Sequence, residues 1–230
     1  MVNFSIVIPI YNEALNIDAL VEEIYHSLKN FKNNKYELIL IDDASTDDTF
    51  DKISILKNRY DIIYKKNIKN SGQSFSIKEG IVISRYDTIV TMDGDGQNNP
   101  KDIIKLLNVY GNKNEFFLVA GIRIKRKDNL VKVISSKIAN KVRSIILKDH
   151  CKDTGCSLKV FDKKSFLDLP YFNSIHRFIP SLFEARKLKV NYIIVDHRPR
   201  IKGNSKYGTF DRLIRGIVDL YKVYKIINKL

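Results

Sequence analysis

Asp93-Gly94-Asp95-Gly96-Gln97 sets two carboxylates two residues apart, with an amide two positions further on. At the end of a strand, such a pair can hold a hard divalent cation and, through it, a diphosphate. Other readings of the same residues are open to comparison. An EF-hand loop starting at Asp93 needs Gly at its sixth position and Glu at its twelfth, but those are Asn98 and Ile104. A phosphatase Asp-x-Asp-Gly belongs on a first strand, and this one follows the fourth. The plainest alternative is a solvated acidic turn, so the motif alone does not decide. A second acidic run, Asp42-Asp43-Ala44-Ser45-Thr46-Asp47, is open in two ways. Asp47 and Asp48 can cap the helix that follows, favoured by its dipole, while Asp42 or Asp43 contacts a nucleoside.

The elements that position these residues follow from hydrophobic periodicity. Short apolar runs predict strands at Phe4–Ile10, Tyr36–Ile41, Ile62–Lys65, Asp87–Met92 and Phe116–Ala120. Helical spacing predicts helices at Ala14–Leu28, Thr49–Lys57, Gln73–Ser84 and Pro100–Val109, the last with proline in its first turn, where a missing N–H costs nothing. Repeated β-α-β means a mostly parallel sheet with helices on both faces. Ligands of such sheets bind at the carboxyl ends of the strands. Tyr11-Asn12-Glu13, Asp42-Asp43 and Asp93-Gly94-Asp95 stand at three of those ends, so they should converge on one crevice.

Beyond Arg123 the pattern changes to a long basic helix, Asn129–Leu147, then strands Ser157–Phe161 and Tyr192–Val195 with helix Ile175–Lys187 between them. A basic, glycine-containing loop, Arg198–Gly208, precedes a final amphipathic helix, Phe210–Leu230. Leu213, Ile214, Ile217, Leu220, Tyr221, Tyr224 and Ile227 share one of its faces, and Arg212, Arg215, Lys222, Lys225 and Lys229 surround them. That face either packs on the domain or lies on an anionic cytoplasmic leaflet.

Charge divides the chain as sharply. Residues 1–120 carry 14 basic and 17 acidic side chains, a net of −3; residues 121–230 carry 26 and 9, a net of +17. The second half should therefore meet something polyanionic: nucleic acid, an anionic membrane surface or phosphate-bearing substrates. No basic-aromatic motif of the usual nucleic-acid modules is present, which turns the reading away from nucleic acid. At 44% hydrophobic and 29% charged residues, the 230-residue chain is globular rather than disordered or coiled-coil. No apolar run reaches the 18 or so residues that span a bilayer, and the start lacks the basic region and small-residue cleavage site of a signal peptide. Cys151 and Cys156 are too few for a disulfide framework. The expectation is one reduced, cytoplasmic domain, peripheral at the inner face of the membrane.

Taken in order, Val7-Ile8-Pro9-Ile10-Tyr11-Asn12-Glu13, Asp42 to Asp47, Asn70-Ser71-Gly72-Gln73 and Met92 to Gln97 resemble the motifs of family 2 glycosyltransferases. The second half is similar to their dolichyl- and undecaprenyl-phosphate branch. It is so through Gly121-Ile122-Arg123, Asp153 to Lys159, His176-Arg177-Phe178-Ile179-Pro180 and Arg198 to Gly208. The resemblance implies a GT-A (Rossmann-like) catalytic domain over residues 1–208, with a nucleotide-sugar half (1–125) and an acceptor half (126–208), and residues 209–230 as the amphipathic helix. It implies a donor pocket of Pro9, Tyr11, Glu13, Asp43, Asp93, Gly94 and Asp95, with Asp93 toward the ribose or diphosphate. Asp93, Asp95 and Gln97 would hold Mg²⁺ or Mn²⁺. Arg123, Lys132, Ser136, Arg200 and Lys206 would bind donor and acceptor phosphates. Gly94 stands where many relatives have Ala, and Lys132 where they often have Arg, which loses bidentate phosphate recognition.

The implied reaction is inverting transfer of a sugar from a nucleotide diphosphate to a polyprenyl phosphate. Partners would be the nucleotide-sugar, that acceptor, and an anionic membrane surface or a separate membrane subunit. A lipid phosphate is already anionic, so basic residues that position two anions matter more than a general base. The alternative acceptor is a hydroxyl of a glycan or lipid. That chemistry needs a carboxylate base, for which Asp153 is the candidate, although it can equally brace its own loop. His176 and His197 read as packing or hydrogen-bonding residues, with His176 near the acceptor by the resemblance; Cys156 reads as a small core residue.

Overall fold

A computed structural model describes residues 2–31, 34–111, 117–123, 140–199 and 209–229. The strands are β1 (Phe4–Ile10), β2 (Tyr36–Asp42), β3 (Ile62–Lys66), β4 (Thr88–Thr91), β5 (Leu118–Arg123), β6 (Lys159–Asp162) and β7 (Val190–Val195). The helices are α1 (Ile17–Leu28), α2 (Thr49–Leu56), α3 (Gln73–Ile83), α4 (Lys101–Gly111), α5 (described over 140–147), α6 (Lys163–Leu167), α7 (Ile175–Ala185) and α8 (Thr209–Ile227). The seven strands form one sheet in the order β3-β2-β1-β4-β6-β5-β7. All neighbours are parallel except β6, which runs antiparallel between β4 and β5.

Alternation along the strands sorts the core into two layers, because side chains of a strand point to opposite faces with period two. Ile6, Ile8, Ile10, Leu38 and Leu40 face α1, α2 and α4, where they meet Val21, Ile53 and Leu106. Val7, Ile39, Ile41, Ile89 and Phe161 face α3 and α7, where they meet Ile77, Ile81, Ile179 and Phe183. Helices therefore cover both faces, as the periodicity requires. Gly80 lets α3 lie close on the sheet, since a Cβ there would stand 2.4 Å from Val7 Cγ1.

Several bounds differ from expectation, β7 beginning at Val190 and α7 ending at Ala185 among them, and three differences have a local cause. Residues 14–16 form a turn before α1, so the helix begins at Ile17 rather than Ala14. A five-residue helix, α6, follows β6 directly, capped by Asp162 accepting from the Ser165 N–H, and is too short to carry a legible period. β6 begins two residues later than Ser157, because Ser157 uses its carbonyl on the Thr91 hydroxyl instead of a strand partner.

Candidate active site

The β1 and β2 strand ends are tied into one wall. The Asp43 N–H donates to the Ile10 carbonyl at 2.7 Å, continuing the sheet past its last register pair. Asn12 takes a left-handed backbone (φ 52°), a conformation Asn tolerates better than most residues. There its N–H donates to Ser45 Oγ and its side-chain oxygen accepts from the Thr46 N–H. The Glu13 N–H donates to Thr49 Oγ1, and Glu13 Oε2 accepts from Asn16 Nδ2 at 2.7 Å. Pro9 and Tyr11 are half-buried at the same strand end.

The acidic run on β2 divides its labour among its members. Asp47, not Asp48, caps α2 by accepting from the Thr49 N–H, and it also takes the Ala14 N–H. Burial opposes ionisation of Asp47, but these hydrogen bonds outweigh it and hold the carboxyl below its usual range. Asp42 is fully buried and accepts from the Ser45 N–H and the Tyr64 hydroxyl. Asp43 accepts from Asn67 Nδ2 and the Ser71 N–H on one oxygen, and from the Gly72 N–H on the other. It thereby fixes the turn that starts α3. Gly72 needs its positive φ of 89° in that turn.

The acidic loop after β4 lies over the end of β1: a Cβ on Gly94 would stand 3.2 Å from the Pro9 carbonyl oxygen. Asp93 Oδ1 accepts from Gln73 Nε2 at 2.7 Å, and the Asp93 N–H donates to Asn98 Oδ1. Asp95 Oδ1 accepts from the Gln97 N–H at 3.1 Å. Enclosure first, and then the neighbouring Asp95 charge, push the Asp93 carboxyl up to about 6, while Ser157, Lys159 and Arg123 pull it down. Lys159 is fully buried on β6, opposite Thr91, and donates to the Cys156 carbonyl. Its ammonium is held below the ordinary lysine range by burial, opposed by the charges of Cys156, Cys151, Asp93 and Asp153.

Arg123, at the end of β5, makes a two-pronged pair with Asp153. Nε reaches Oδ2 at 2.7 Å and Nη2 reaches Oδ1 at 2.8 Å, and the Arg123 N–H adds a third bond. Gly155 makes room for it, because a Cβ there would stand 2.6 Å from Arg123 Nη2. Asp153 also accepts from the Gly155 N–H. Both Asp153 oxygens thus hold Arg123 and its loop, the arrangement that the bracing alternative requires. His176 shares a 2.6 Å hydrogen bond with Ser74 Oγ, and burial, helped by the Lys159 and Arg177 charges, lowers it to about 3. It is neutral at physiological pH.

Pro9, Tyr11, Glu13, Asp43, Asp93, Gly94, Asp95 and Gln97 therefore share the carboxyl edge of the sheet, as expected. Arg123 and Asp153 approach from β5 and the loop before β6. Lys132, Ser136, Arg200 and Lys206 lie outside the described residues. Two polar neighbours of Asp93 had no role assigned from sequence. Gln73 closes the quoted motif Asn70-Ser71-Gly72-Gln73, which was a usable signal. Lys159 likewise closes the quoted stretch Asp153 to Lys159, but inside an apolar strand run its burial has no local sign.

Among the described residues no group of three or more His, Cys, Asp or Glu converges as a closed metal cage. Asp93, Asp95 and the Gln97 amide are three oxygen-bearing side chains of one loop. That set suits a hard cation whose remaining ligands, out of about six, come from a diphosphate and water. The mutual repulsion that raises Asp93 is what a cation there would relieve. From this follows a test without any ligand. Asp93 binds more protons folded than unfolded between its ordinary 3.8 and about 6, so its contribution to stability declines as pH rises through that window. Asp93→Asn is expected to raise the melting temperature of the metal-free protein at pH 7 by several degrees, with the gain vanishing below about pH 4. Calorimetry across pH 3.5–8 checks this, and an equal melting temperature at pH 7 contradicts it.

A mostly parallel sheet with one antiparallel insertion, and an Asp-x-Asp loop at its carboxyl edge, is the GT-A architecture. The chain belongs to glycosyl transferase family 2, whose description matches residues 5–170. It is similar to the dodecaprenyl-phosphate galacturonate synthase of Rhizobium johnstonii, at 34% identity over 224 residues, covering 95% of this chain and 65% of that protein. It is also similar to the undecaprenyl-phosphate 4-deoxy-4-formamido-L-arabinose transferase of Yersinia pestis, at 31% identity over 218 residues, covering 94% and 65%. The chain thus spans just under two thirds of the length of these relatives. In fold it matches the glucosyl-3-phosphoglycerate synthase of Mycobacterium tuberculosis in complex with phosphoglyceric acid, with a TM-score of 0.71 at 17% identity, covering 98% of this chain and 81% of that one. The same enzyme in complex with Mn²⁺, uridine diphosphate and glucosyl-3-phosphoglycerate matches with a TM-score of 0.67 at 15% identity, covering 95% and 80%.

Proposed function

We propose that this protein is an inverting glycosyltransferase that moves a sugar from a nucleotide diphosphate to a polyprenyl phosphate, with Mg²⁺ or Mn²⁺ held by Asp93, Asp95 and Gln97. The observation that carries the reading is the Asp93–Asp95 pair, enclosed and mutually repelling, beside the joined ends of β1 and β2. A divalent cation there would neutralise the departing diphosphate. Pro9, Tyr11 and Glu13 form the wall for the nucleoside, while Asp43 sets the turn beside it. The two relatives named for polyprenyl-phosphate substrates supply the acceptor class. An acceptor that arrives ionised suits a site where Asp153 is spent on Arg123, with the guanidinium held rigid and its remaining edge turned from Asp153. Lys132, Ser136, Arg200 and Lys206 complete the phosphate-binding set in this reading.

No helix among the described residues is long and apolar enough to cross a membrane. α8 carries apolar residues on two faces. Val223 is fully buried, and Leu220, Ile226 and Ile227 pack with it into the α3–α7 layer. Ile217, Val218, Tyr221 and Tyr224 are exposed, with Lys225 Nζ 4.5 Å over the Tyr221 ring. α5 packs into the same layer through Leu147 and exposes Val142, Ile145 and Ile146. These paired apolar and basic surfaces support contact with the anionic inner leaflet. Ile217→Ser with Tyr221→Ser and Tyr224→Ser is expected to weaken binding to vesicles containing phosphatidylglycerol at least about tenfold without loss of fold. Co-sedimentation reads the change, and full retention removes α8 from the contact.

The test of the donor reading is a thermal scan against nucleoside diphosphates with Mn²⁺, Mg²⁺ or EDTA. A rise that needs the cation and one particular base supports it. No shift with any of them, in folded protein, counts against it.

A further inference from the structure

Residues 196–199 are bound along the acidic loop more tightly than chain connectivity requires. His197 makes an antiparallel bridge with Asn98, and the Arg198 N–H donates to the Gln97 carbonyl at 2.9 Å. The Asp196 N–H donates to Asp102 Oδ2 of α4, and Asp196 Oδ2 accepts from Asn99 Nδ2. In return Gln97 Nε2 donates to the Arg198 carbonyl at 3.2 Å. The Arg198 side chain then crosses to α1, where Nη1 and Nη2 meet Glu23 Oε2 and Oε1 at 2.8 and 2.7 Å. Glu23 and Arg198 are 175 residues apart in sequence.

We infer that the Glu23–Arg198 ion pair is a positioning device for Gln97, fixing the amide that the acidic loop offers to a cation. A carbonyl can only accept, so the Arg198 oxygen holds the NH₂ end of the Gln97 amide and leaves Oε1 as its ligand group. The Gln97 N–H is meanwhile given to Asp95 Oδ1, so backbone and side chain are both arrested. Backbone bonds already join this segment to the loop, and the side chain of Arg198 adds a tether across to α1. The two-pronged pair with Glu23 supplies that tether at a fixed angle, which a single point charge would not. Both side chains are about a third exposed, where an ion pair adds little to stability. The pair's consequence is therefore expected at the cation site rather than in the melting temperature. Outer-shell partners that orient a ligand typically change metal affinity by about 10–100-fold.

The inference rests on the reading that Asp95 and Gln97 hold a cation, and Mn²⁺ titration of the nucleotide-free protein, followed by electron paramagnetic resonance of the free ion, separates the two. Arg198→Ala and Glu23→Ala should each weaken Mn²⁺ binding about tenfold, with melting temperatures near wild type. Arg198→Lys should recover part of the loss, and the exchange Glu23→Arg with Arg198→Glu most of it. In a Gln97→Ala background, Arg198→Ala should cause no further loss, which a general loosening of the loop would not produce. Wild-type affinity in Arg198→Ala, or equal losses with and without Gln97, overturns the positioning role alone. Failure of the wild-type protein to bind Mn²⁺ with a nucleoside diphosphate present as well as without it overturns the cation reading and the inference with it.

Discussion

Asp95→Ala is expected to lower sugar transfer by about a thousandfold or more and to abolish cation-dependent nucleotide binding. A site that stabilises charge on a departing group loses about 10²–10³ in rate when one such contact is removed, and a cation ligand governs the whole counter-charge rather than one hydrogen bond. Asp93 and Asp95 differ in a way that sharpens the test. Asp93 is braced by Gln73 and drawn on by the Ser157, Lys159 and Arg123 groups, whereas Asp95 engages the Gln97 N–H within its own loop. Loss at Asp95 removes its repulsion of Asp93, so the fold should stay intact. Initial rates with a nucleotide-sugar and polyprenyl phosphate, together with isothermal titration of the nucleoside diphosphate with and without Mn²⁺, read both effects. Undiminished turnover would falsify the assignment of the cation to this loop.

The second large effect is on stability. Asp153→Ala removes the partner of a guanidinium that lies on a side chain only 12% exposed, facing a carboxylate only 7% exposed. An uncompensated charge at that depth costs about 3–5 kcal/mol. For a chain of this length that corresponds to a fall of about 6–20 °C in melting temperature. Chemical denaturation and calorimetry measure it directly. Arg123 and Asp153 exchanged for a pair of apolar residues should be far less destabilised than either single change, since both charges then disappear together. Were Asp153 a general base instead, Asp153→Asn would keep its melting temperature and lose rate with a changed pH profile. Stability retained in Asp153→Ala would equally defeat the bracing role.

The carboxyl edge of the sheet was largely legible in the sequence. Short apolar runs such as Phe4–Ile10 and Tyr36–Ile41 and the apolar spacing of α1 are local properties, and the rule that ligands bind at strand ends then assembled Tyr11, Asp43 and Asp93 without a structure. Division of labour among the acidic residues was not legible. Asp42, Asp43 and Asp47 have the same chemistry and lie within six positions, yet one is buried under Tyr64, one builds the α3 turn and one caps α2. Only neighbours brought by folding from β3, from residues 67–72 and from the turn before α1 distinguish them. The C-terminal helix shows the same limit. One apolar stripe was drawn through Ile217, Leu220, Tyr221, Tyr224 and Ile227, and α7 divides it into a packed side and an exposed side.

What the sequence determined by itself was the class of the protein: alternating strands and helices, acidic residues at three strand ends and positive charge gathered in the second half. These are consequences of spacing and composition, and they survive without knowledge of any contact. The tertiary structure decided the partnerships: Asp153 with Arg123, Gln73 with Asp93, and Arg198 with Glu23 across 175 residues. Hydrogen bonds and ion pairs between distant positions depend on distances of a few tenths of an ångström. No local pattern encodes those distances, because the packing of both layers on one sheet sets them.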